Sequence, residues 1–332
     1  MNFHNIRALK DTADLRLSSA REEKKLVLIY GGIVIGLAVL VTLLSHVLDL
    51  RIAQSGGLSN MGSRTILSSI QSVLPMVQSV VLLCLEIGYI AAMLRISRGQ
   101  YVSTQTLRLG FDRIWVLIRV TLLQSLIYTG VSVAAFYLSA NIFAVTPLSS
   151  DFMDIVLPMM EGTTMLNPAT LMLDEATVLQ LLKSMIPLFV ITGIIFAVLA
   201  IPVFYQYRMV NYVIIDKPAL GAMAALRESR KIMRRNGFAL FRVDLSLWYY
   251  YLAGAAAVVI GYGDWILASL GISLPLSETA ASLVFYGFLL AAQFAVYYFL
   301  RNRAEVIYGL VYEDLRPKEE SDGVVLGNIF QM

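Results

Sequence analysis

A single acidic residue, Glu86, lies inside one of the long apolar runs of this sequence, VLLCLEIGYIAAML. If the run is helical, Glu86 lies about 12 Å from its end at Leu94, at 1.5 Å per residue. A carboxylate this deep in a bilayer is costly unless it is protonated or paired, so it is predicted to face the interior of a helix bundle. One interpretation is a proton or cation site on a transport path. The other is a structural ion pair with Arg119 or Arg242.

Arg119, Arg242 and Asp244 are the other charged residues predicted to lie just inside apolar segments. Both arginines are shallow enough for the guanidinium groups to reach lipid headgroups along the side-chain stems. Arg242 and Asp244 are two positions apart, so on a helix they point in different directions. Asp244 is interpreted as bonding the helix that precedes it, because its short side chain cannot reach the headgroups. Together with Glu86, these residues are the candidate functional residues of the apolar region.

A basic helix is predicted over Pro218–Arg235, where the proline suits the first helical turn. At 100° per residue, small and apolar side chains fall on one side and basic side chains on the other. The basic face consists of Arg227, Arg230, Lys231, Arg234 and Arg235. This pattern favours contact with anionic lipid headgroups, and the alternative is ordinary enrichment of basic residues in a cytoplasmic loop. Nucleic acid is not predicted as a partner, because so short a basic face beside a membrane suits lipid better.

The residues Gly261-Tyr262-Gly263-Asp264 match the GxGD pattern of intramembrane aspartyl proteases. That chemistry needs two facing aspartates that share a proton. No adjacent apolar run supplies the second one, and Asp244 is predicted on the same helix as the motif. A glycine turn at the end of that helix is therefore the preferred interpretation, and an intramembrane enzyme is a distant alternative.

No cofactor or metal site is predicted. The histidines are His4 and His46, and the single cysteine, Cys84, lies in an apolar run. A methionine-rich stretch has thioethers of the kind that bind Cu(I), but neither His nor Cys accompanies it. Its residues are Met153, Met159, Met160, Met165 and Met172. The sequence also lacks a Walker loop and a dinucleotide-binding fingerprint, which argues against an ATP-driven pump acting alone.

The elements that must position these residues are long apolar helices. Of the 332 residues, 58% are hydrophobic and 15% are charged, against about 25% charged in soluble domains. Runs of 20 or more apolar residues can cross a hydrocarbon core of about 30 Å. The predicted spans lie at about residues 26–48, 73–94, 114–142, 185–205, 238–262 and 280–300. The fold class is therefore all-α, a bundle of six transmembrane helices within residues 26–304.

The distribution of basic residues predicts the orientation of this bundle. Of the 26 Lys and Arg residues, all but Arg51, Arg64 and Lys183 fall on one side of the predicted spans. Cytoplasmic loops carry an excess of Lys and Arg, so that side is predicted to be cytoplasmic. An even number of spans places both tails there, residues 1–25 and residues 305–332.

The segment from Phe143 to about Lys183 contains five acidic residues and is too polar to span a membrane. It is predicted to form short amphipathic helices at the interface. Its acidic residues are Asp151, Asp154, Glu161, Asp174 and Glu175.

Two stretches carry a resemblance, and the longer one is YQYRMVNYVIIDKPALGAMAALRESRKIMRRNGFALFRVDLSLW, at Tyr205–Trp248. With its continuation to Leu315, this stretch resembles a bacterial multi-pass family known as domain of unknown function 975. The shorter one is LRISRGQYVSTQTLRLGF, at Leu94–Phe111, which is similar to the family's first cytoplasmic connection. The resemblance implies six helices in a bacterial cytoplasmic membrane and no established activity.

Two function classes follow from these observations. The first is a non-enzymatic membrane accessory or scaffold that organises anionic lipid, a partner membrane protein or a second copy of itself. Its docking surfaces would be small-residue faces at Gly32 and Gly36, and at Ala253, Ala257 and Gly261, which let helices approach closely. The second is a secondary transporter or channel-like permease with Glu86 in its pathway. Transporters often carry broken helices in matched positions, and the sequence shows no such Gly/Pro interruptions, which favours the first class.

Overall fold

The computed structural model describes residues 5–20, 22–54, 61–147, 149–150, 152–154, 175–272 and 277–316. Within these ranges the chain is helical and contains no strand. It divides into two compact units, one comprising Met1–Ile118 with Arg208–Met332 and the other comprising Arg119–Tyr207. The candidate functional residues lie in the first unit, except Arg119.

The helices of the first unit begin with α1 (Ile6–Ser19), α2 (Glu23–Gln54), α3 (Met61–Ser97), a 3-10 helix (Thr104–Arg113) and the start of α4 (Ile114–Ala144). After the second unit, which holds the rest of α4 and α5 (Glu175–Tyr207), the chain continues with α6 (Val210–Asp216), α7 (Ala222–Met233), α8 (Gly237–Ser246) and α9 (Trp248–Gly261). It ends with α10 (Gly263–Ser269), α11 (Glu278–Val296), a π-helical turn (Tyr297–Arg301) and α12 (Asn302–Leu315).

Five helices of the described chain are long and apolar enough to cross a membrane, or up to six if one bent pair counts as a span. The bent pair is α8 and α9, whose axes differ by 64°. The predicted fifth span, Phe238–Tyr262, was expected to be a single helix, and the structure interrupts it at Leu247. The Leu247 side chain is fully buried, and its N–H donates to the Asp244 carbonyl at 2.9 Å in a tight turn. The helix axis therefore changes direction at a residue whose side chain is buried in the core.

The last long helix also extends further than its apolar run. The predicted sixth span ends near Leu300, whereas helix continues through the π turn and α12 to Leu315. The reason is visible in the packing, because Val306, Ile307 and Val311 recur at helical spacing and are buried. The first part of the predicted C-terminal tail is thus a packed helix, and residues 317–332 lie outside the described chain.

The core of the first unit is concentrated around the second half of α3, where Cys84, Ile87, Tyr89 and most residues of 90–96 are buried. The 3-10 helix packs so closely on α3 that two glycines are required. A Cβ on Gly88 would overlap the Leu107 carbonyl, and a Cβ on Gly110 would overlap the Cys84 carbonyl. This contact is made between backbones, which fixes the 3-10 helix against α3.

Helix α1 packs on the first unit beside the second half of α3, where the core is concentrated. Leu9 and Ala13 are buried, and the Lys10 ammonium donates to the Ser246 carbonyl at 2.8 Å. Asp14 pairs with Arg303 at 2.7 Å. The N-terminal tail therefore contains a helix packed against α12, at the end where most basic residues gather.

In the second unit, α4 and α5 present largely apolar surfaces. The acidic segment between them was predicted to form interfacial helices, and residues 155–174 lie outside the described chain, as do Met159, Met160, Met165 and Met172. The end of that segment, from Glu175 to Lys183, belongs to α5, which continues without a break to Tyr207.

Candidate functional site

Glu86 forms an ion pair with Arg301 in the interior of the first unit. Helix α3 supplies the carboxylate, and the π turn between α11 and α12 supplies the guanidinium. The Arg301 side chain is 8% exposed and the Glu86 side chain 30% exposed. The Tyr30 hydroxyl from α2 donates to the other Glu86 oxygen at 2.8 Å. The carboxylate therefore joins three helical elements, and the observed ion-pair partner is Arg301 in place of the expected Arg119 or Arg242.

Three tyrosine rings surround the Arg301 guanidinium. Its central carbon lies 5.5 Å from the ring centroid of Tyr30, 5.1 Å from that of Tyr89 and 4.8 Å from that of Tyr297. The rings of Tyr30 and Tyr89 stack with centroids 4.5 Å apart. Cation–π contacts of a desolvated guanidinium contribute about 2 kcal/mol or more. We refer to Glu86, Arg301, Tyr30, Tyr89 and Tyr297 as the Arg301 cluster.

A second polar group, centred on Tyr308 of α12, contains Asp244. The Tyr308 hydroxyl donates to Asp244 Oδ1 at 2.6 Å and lies 2.6 Å from the Tyr251 hydroxyl. The Arg208 guanidinium lies 4.7 Å from the centroid of the Tyr308 ring. Asp244 was predicted to bond the helix that precedes it, and its bond to Tyr308 joins α8 to α12. We call Asp244, Tyr251, Tyr308 and Arg208 the Tyr308 cluster.

Glu305, one turn beyond Arg301 on α12, lies between the two clusters. It accepts a hydrogen bond from the Tyr212 hydroxyl at 2.8 Å. It also interacts electrostatically with both Arg301 and Arg208. Three carboxylates, those of Glu86, Asp244 and Glu305, and two guanidiniums thus share this region with a set of tyrosine hydroxyls, and each carboxylate accepts a hydrogen bond from one of these hydroxyls.

A cavity of about 240 Å³ lies between α9, α11 and the π turn. Its wall includes Tyr251 of the Tyr308 cluster and Tyr297 of the Arg301 cluster, with Gln293 as a further polar residue. Gly254 and Ala257 are the residues of the wall with the smallest side chains. The cavity therefore adjoins both clusters.

The predicted basic face lies partly on α7, which ends at Met233, and partly on the turn that follows. Arg227, Arg230, Lys231, Arg234 and Arg235 are all exposed. The opposite side of the helix is buried, at Ala225, Leu226, Ser229, Ile232 and Met233. Helix α7 is thus held to the unit by its small and apolar side, and its basic side is available to other molecules.

Arg242 and Asp264 belong to neither cluster, and Arg119 belongs to the second unit. Arg119 on α4 and Arg242 on α8 are both exposed. Asp264 lies on α10, where Ser282 and the Trp265 N–H donate to it at 2.7 and 2.8 Å. These two hydrogen bonds hold the pKa of the Asp264 carboxyl below its usual value. Within the described chain, no group of three His, Cys, Asp or Glu residues could hold a metal ion.

Sequence reasoning missed Arg301, Glu305 and Arg208. Arg301 was counted among the cytoplasmic basic residues, because the apolar run ends at Leu300. The sequence did contain a signal, because small and apolar residues continue at helical spacing after Leu300, at Ala304, Ile307 and Val311. These three side chains are buried. Glu305 is four positions after Arg301, so the two side chains lie on the same side of the helix.

The family model for "Protein of unknown function (DUF975)" matches residues 35–300 of the chain. The chain belongs to DUF975. The match extends well beyond the two stretches that carried the resemblance, and it includes Glu86 and Asp244. Arg301 follows immediately after the last matched residue. No curated protein and no solved structure matches this DUF975 chain.

Proposed function

We propose that this DUF975 protein is a bacterial cytoplasmic-membrane protein with six spans and both tails in the cytoplasm. Large aliphatic side chains remain exposed along the apolar helices, for example Leu40 and Leu43 on α2 and Ile194 and Val198 on α5. Exposed apolar surface on this scale suits lipid. The bent pair α8–α9 counts as one span, and the packing of α1 beside α12 supports both tails on one side.

Within the membrane, the proposed function is that of a non-enzymatic accessory or scaffold that organises anionic lipid or a partner protein. The observation that carries this proposal is the exposed basic face of α7. Three of its five cations lie on α7 and two on the turn that follows, all five are exposed, and the other side of the helix is buried. Cations near an anionic leaflet contribute about 1 kcal/mol each to membrane attraction, so the whole face would contribute substantially.

An environment-sensitive dye on α7 tests this contact. Cys84 is the single cysteine and is buried, so Cys84→Ala with Ala224→Cys provides one labelling site. In phosphatidylcholine vesicles that contain phosphatidylglycerol, the dye should report a less polar environment than in phosphatidylcholine alone. High salt should reverse the shift.

The matched control uses the same loss of charge at different sites. Arg227→Gln with Arg230→Gln should reduce the lipid-dependent shift, whereas Arg119→Gln with Arg242→Gln should leave it intact. An identical signal in both lipid compositions, or an equal effect of both variant pairs, would contradict the role of the α7 face.

One of the two small-residue faces supports a docking role. Nothing in the described chain lies within 4 Å of a Cβ built at Gly32 or Gly36, and both glycines are exposed on α2. Gly261 on α9 instead packs against Leu289 of α11. Crosslinking in native membranes should recover a reproducible partner or a second copy through α2. Gly32→Leu should abolish that product, and recovery of the protein alone would count against the scaffold.

A second candidate function, a secondary transporter or channel-like permease, is favoured by the bend at Leu247. Broken helices border substrate sites in many transporters, and here the bent span and the π turn flank the 240 Å³ cavity beside the Arg301 cluster. If Glu86 carries transport, folded Glu86→Gln protein in vesicles should lose a pH-dependent flux that the wild type shows. A wild type without such a flux would remove this candidate.

A further inference from the structure

A different cavity, of about 320 Å³, lies between the end of α3, the 3-10 helix and α6. Three arginines line it: Arg95 from α3, Arg98 from the turn that follows α3, and Arg113 from the 3-10 helix. We refer to it as the arginine cavity. It is separate from the basic face of α7 and from both tyrosine-containing clusters.

Arg98 is compensated by neighbouring carboxylates. It pairs with Asp216 at 2.5 Å and with Glu313 at 2.6 Å. Asp216 also accepts from the Tyr312 hydroxyl at 3.2 Å and lies 3.5 Å from Arg316. The single carboxylate in the cavity wall is therefore already neutralised by cations around it.

Arg95 and Arg113 have no such compensation. The Arg95 guanidinium donates to the Thr106 hydroxyl at 3.2 Å, and Arg113 donates to the Pro218 carbonyl. Among the described residues, neither arginine has a carboxylate within ion-pair distance. A guanidinium has five N–H donors, and each of these bonds uses one. Both side chains are half-buried in the same cavity, which leaves it with excess positive charge.

The rest of the wall is apolar. Ile87, Ala91 and Leu94 of α3 face Ile214 and Ile215 of α6. A ligand that combines an anionic oxygen-rich group with an apolar portion would match both parts. Guanidinium groups bind phosphate oxygens through paired N–H donors, which makes phosphate esters the best chemical match.

We propose that the arginine cavity binds a phosphate ester group, with Arg95 and Arg113 as its ligands. The group is either the headgroup phosphate of an anionic phospholipid or that of a small soluble phosphate ester. Lipid contact by the α7 face is not required for this binding, so the two sites succeed or fail independently.

Binding to the purified full-length protein in detergent tests the cavity. The probes are phosphatidylglycerol, detected by native mass spectrometry, and glycerol 3-phosphate and inorganic phosphate, measured by calorimetry. Arg95→Gln with Arg113→Gln should lower the affinity for the probe that binds by at least about tenfold, because charge-assisted hydrogen bonds are lost. The charge-matched pair Arg51→Gln with Arg64→Gln should leave the affinity within about twofold, since both side chains are exposed and belong neither to the cavity nor to the α7 face.

The outcomes separate the two sources of phosphate. Arginine-dependent retention of phosphatidylglycerol without binding of the soluble probes identifies a lipid headgroup, and binding of the soluble probes identifies a free phosphate ester. Both support the site. Failure of all three probes, or equal loss with both variant pairs, overturns it.

A footprint on the wild type covers the case in which the cavity variant does not fold. Phenylglyoxal modifies accessible arginines, and a bound phosphate group should protect Arg95 and Arg113 while leaving the exposed Arg51 reactive. Unchanged modification of Arg95 and Arg113 in the presence of every probe would overturn the proposal.

Discussion

Arginines occur in two contrasting environments within the first unit. Arg301 is buried, paired with Glu86 and surrounded by three tyrosine rings. The arginines of the α7 face are exposed on a helix that is packed only through its other side. The same side chain thus holds helices together in one region and is available to other molecules in the other.

The difference follows from the cost of desolvation. A buried guanidinium without a partner would be strongly destabilising, so Arg301 is expected to lie where a carboxylate and aromatic faces replace its water. An exposed arginine keeps its water and contributes little to stability. The α7 cations are therefore free to interact with an external anionic surface, whereas Glu86 and Arg301 are occupied with each other.

The largest effect is expected from Arg301→Gln. This change leaves the Glu86 carboxylate in the interior without its cation, and should lower the free energy of unfolding by about 3 kcal/mol. Unfolding by titration with SDS in mixed micelles measures it. The exposed Arg242→Gln should change the same quantity by less than about 0.5 kcal/mol. Equal effects of the two variants would erase the contrast between the environments.

A smaller effect is expected from Tyr308→Phe, which removes the hydroxyl that donates to Asp244. Loss of a hydrogen bond to a buried carboxylate should cost about 2 kcal/mol in the same unfolding assay. Tyr262→Phe is the matched control, because that side chain is 63% exposed. A neutral result for Tyr308→Phe would mean that this polar cluster does not hold α8 against α12.

Stability should hardly change when the α7 face is neutralised. Arg227→Gln with Arg230→Gln is expected to shift the free energy of unfolding by less than about 0.5 kcal/mol, since both side chains are exposed. The same variant should lose part of the response to phosphatidylglycerol in the dye assay. A large loss of stability would show that these cations belong to the packed structure.

The smallest effect concerns Asp264, whose lowered carboxyl pKa depends on Ser282 and the Trp265 N–H. A lowered pKa contributes stability above the ordinary aspartate pKa of about 3.9, and the contribution is lost as the pH falls through the folded-state pKa. Asp264→Asn should therefore melt slightly below the wild type at neutral pH, and the gap should close in acid. A gap that widens in acid would contradict this assignment.

Most of the long helices could be predicted from the sequence, because a run of about 20 apolar residues is long enough to cross the hydrocarbon core of a membrane as a helix. The exposed cations of α7 followed from helical spacing in the same way. The bend at Leu247 could not be predicted, because it coincides with the burial of the Leu247 side chain, which is set by tertiary packing. The partner of Glu86 was also missed, because Arg301 comes after the end of an apolar run and only tertiary packing brings it inside.

Glu86 and Arg301 form an ion pair that holds α3 to the π turn, and a double-mutant cycle tests this structural role most directly. Glu86→Gln, Arg301→Gln and the double variant are compared by SDS unfolding in mixed micelles. The structure predicts that the double variant loses at least about 1 kcal/mol less than the sum of the single losses. Losses that add within about 0.3 kcal/mol, from a Glu86→Gln protein that folds normally, would contradict a structural pair.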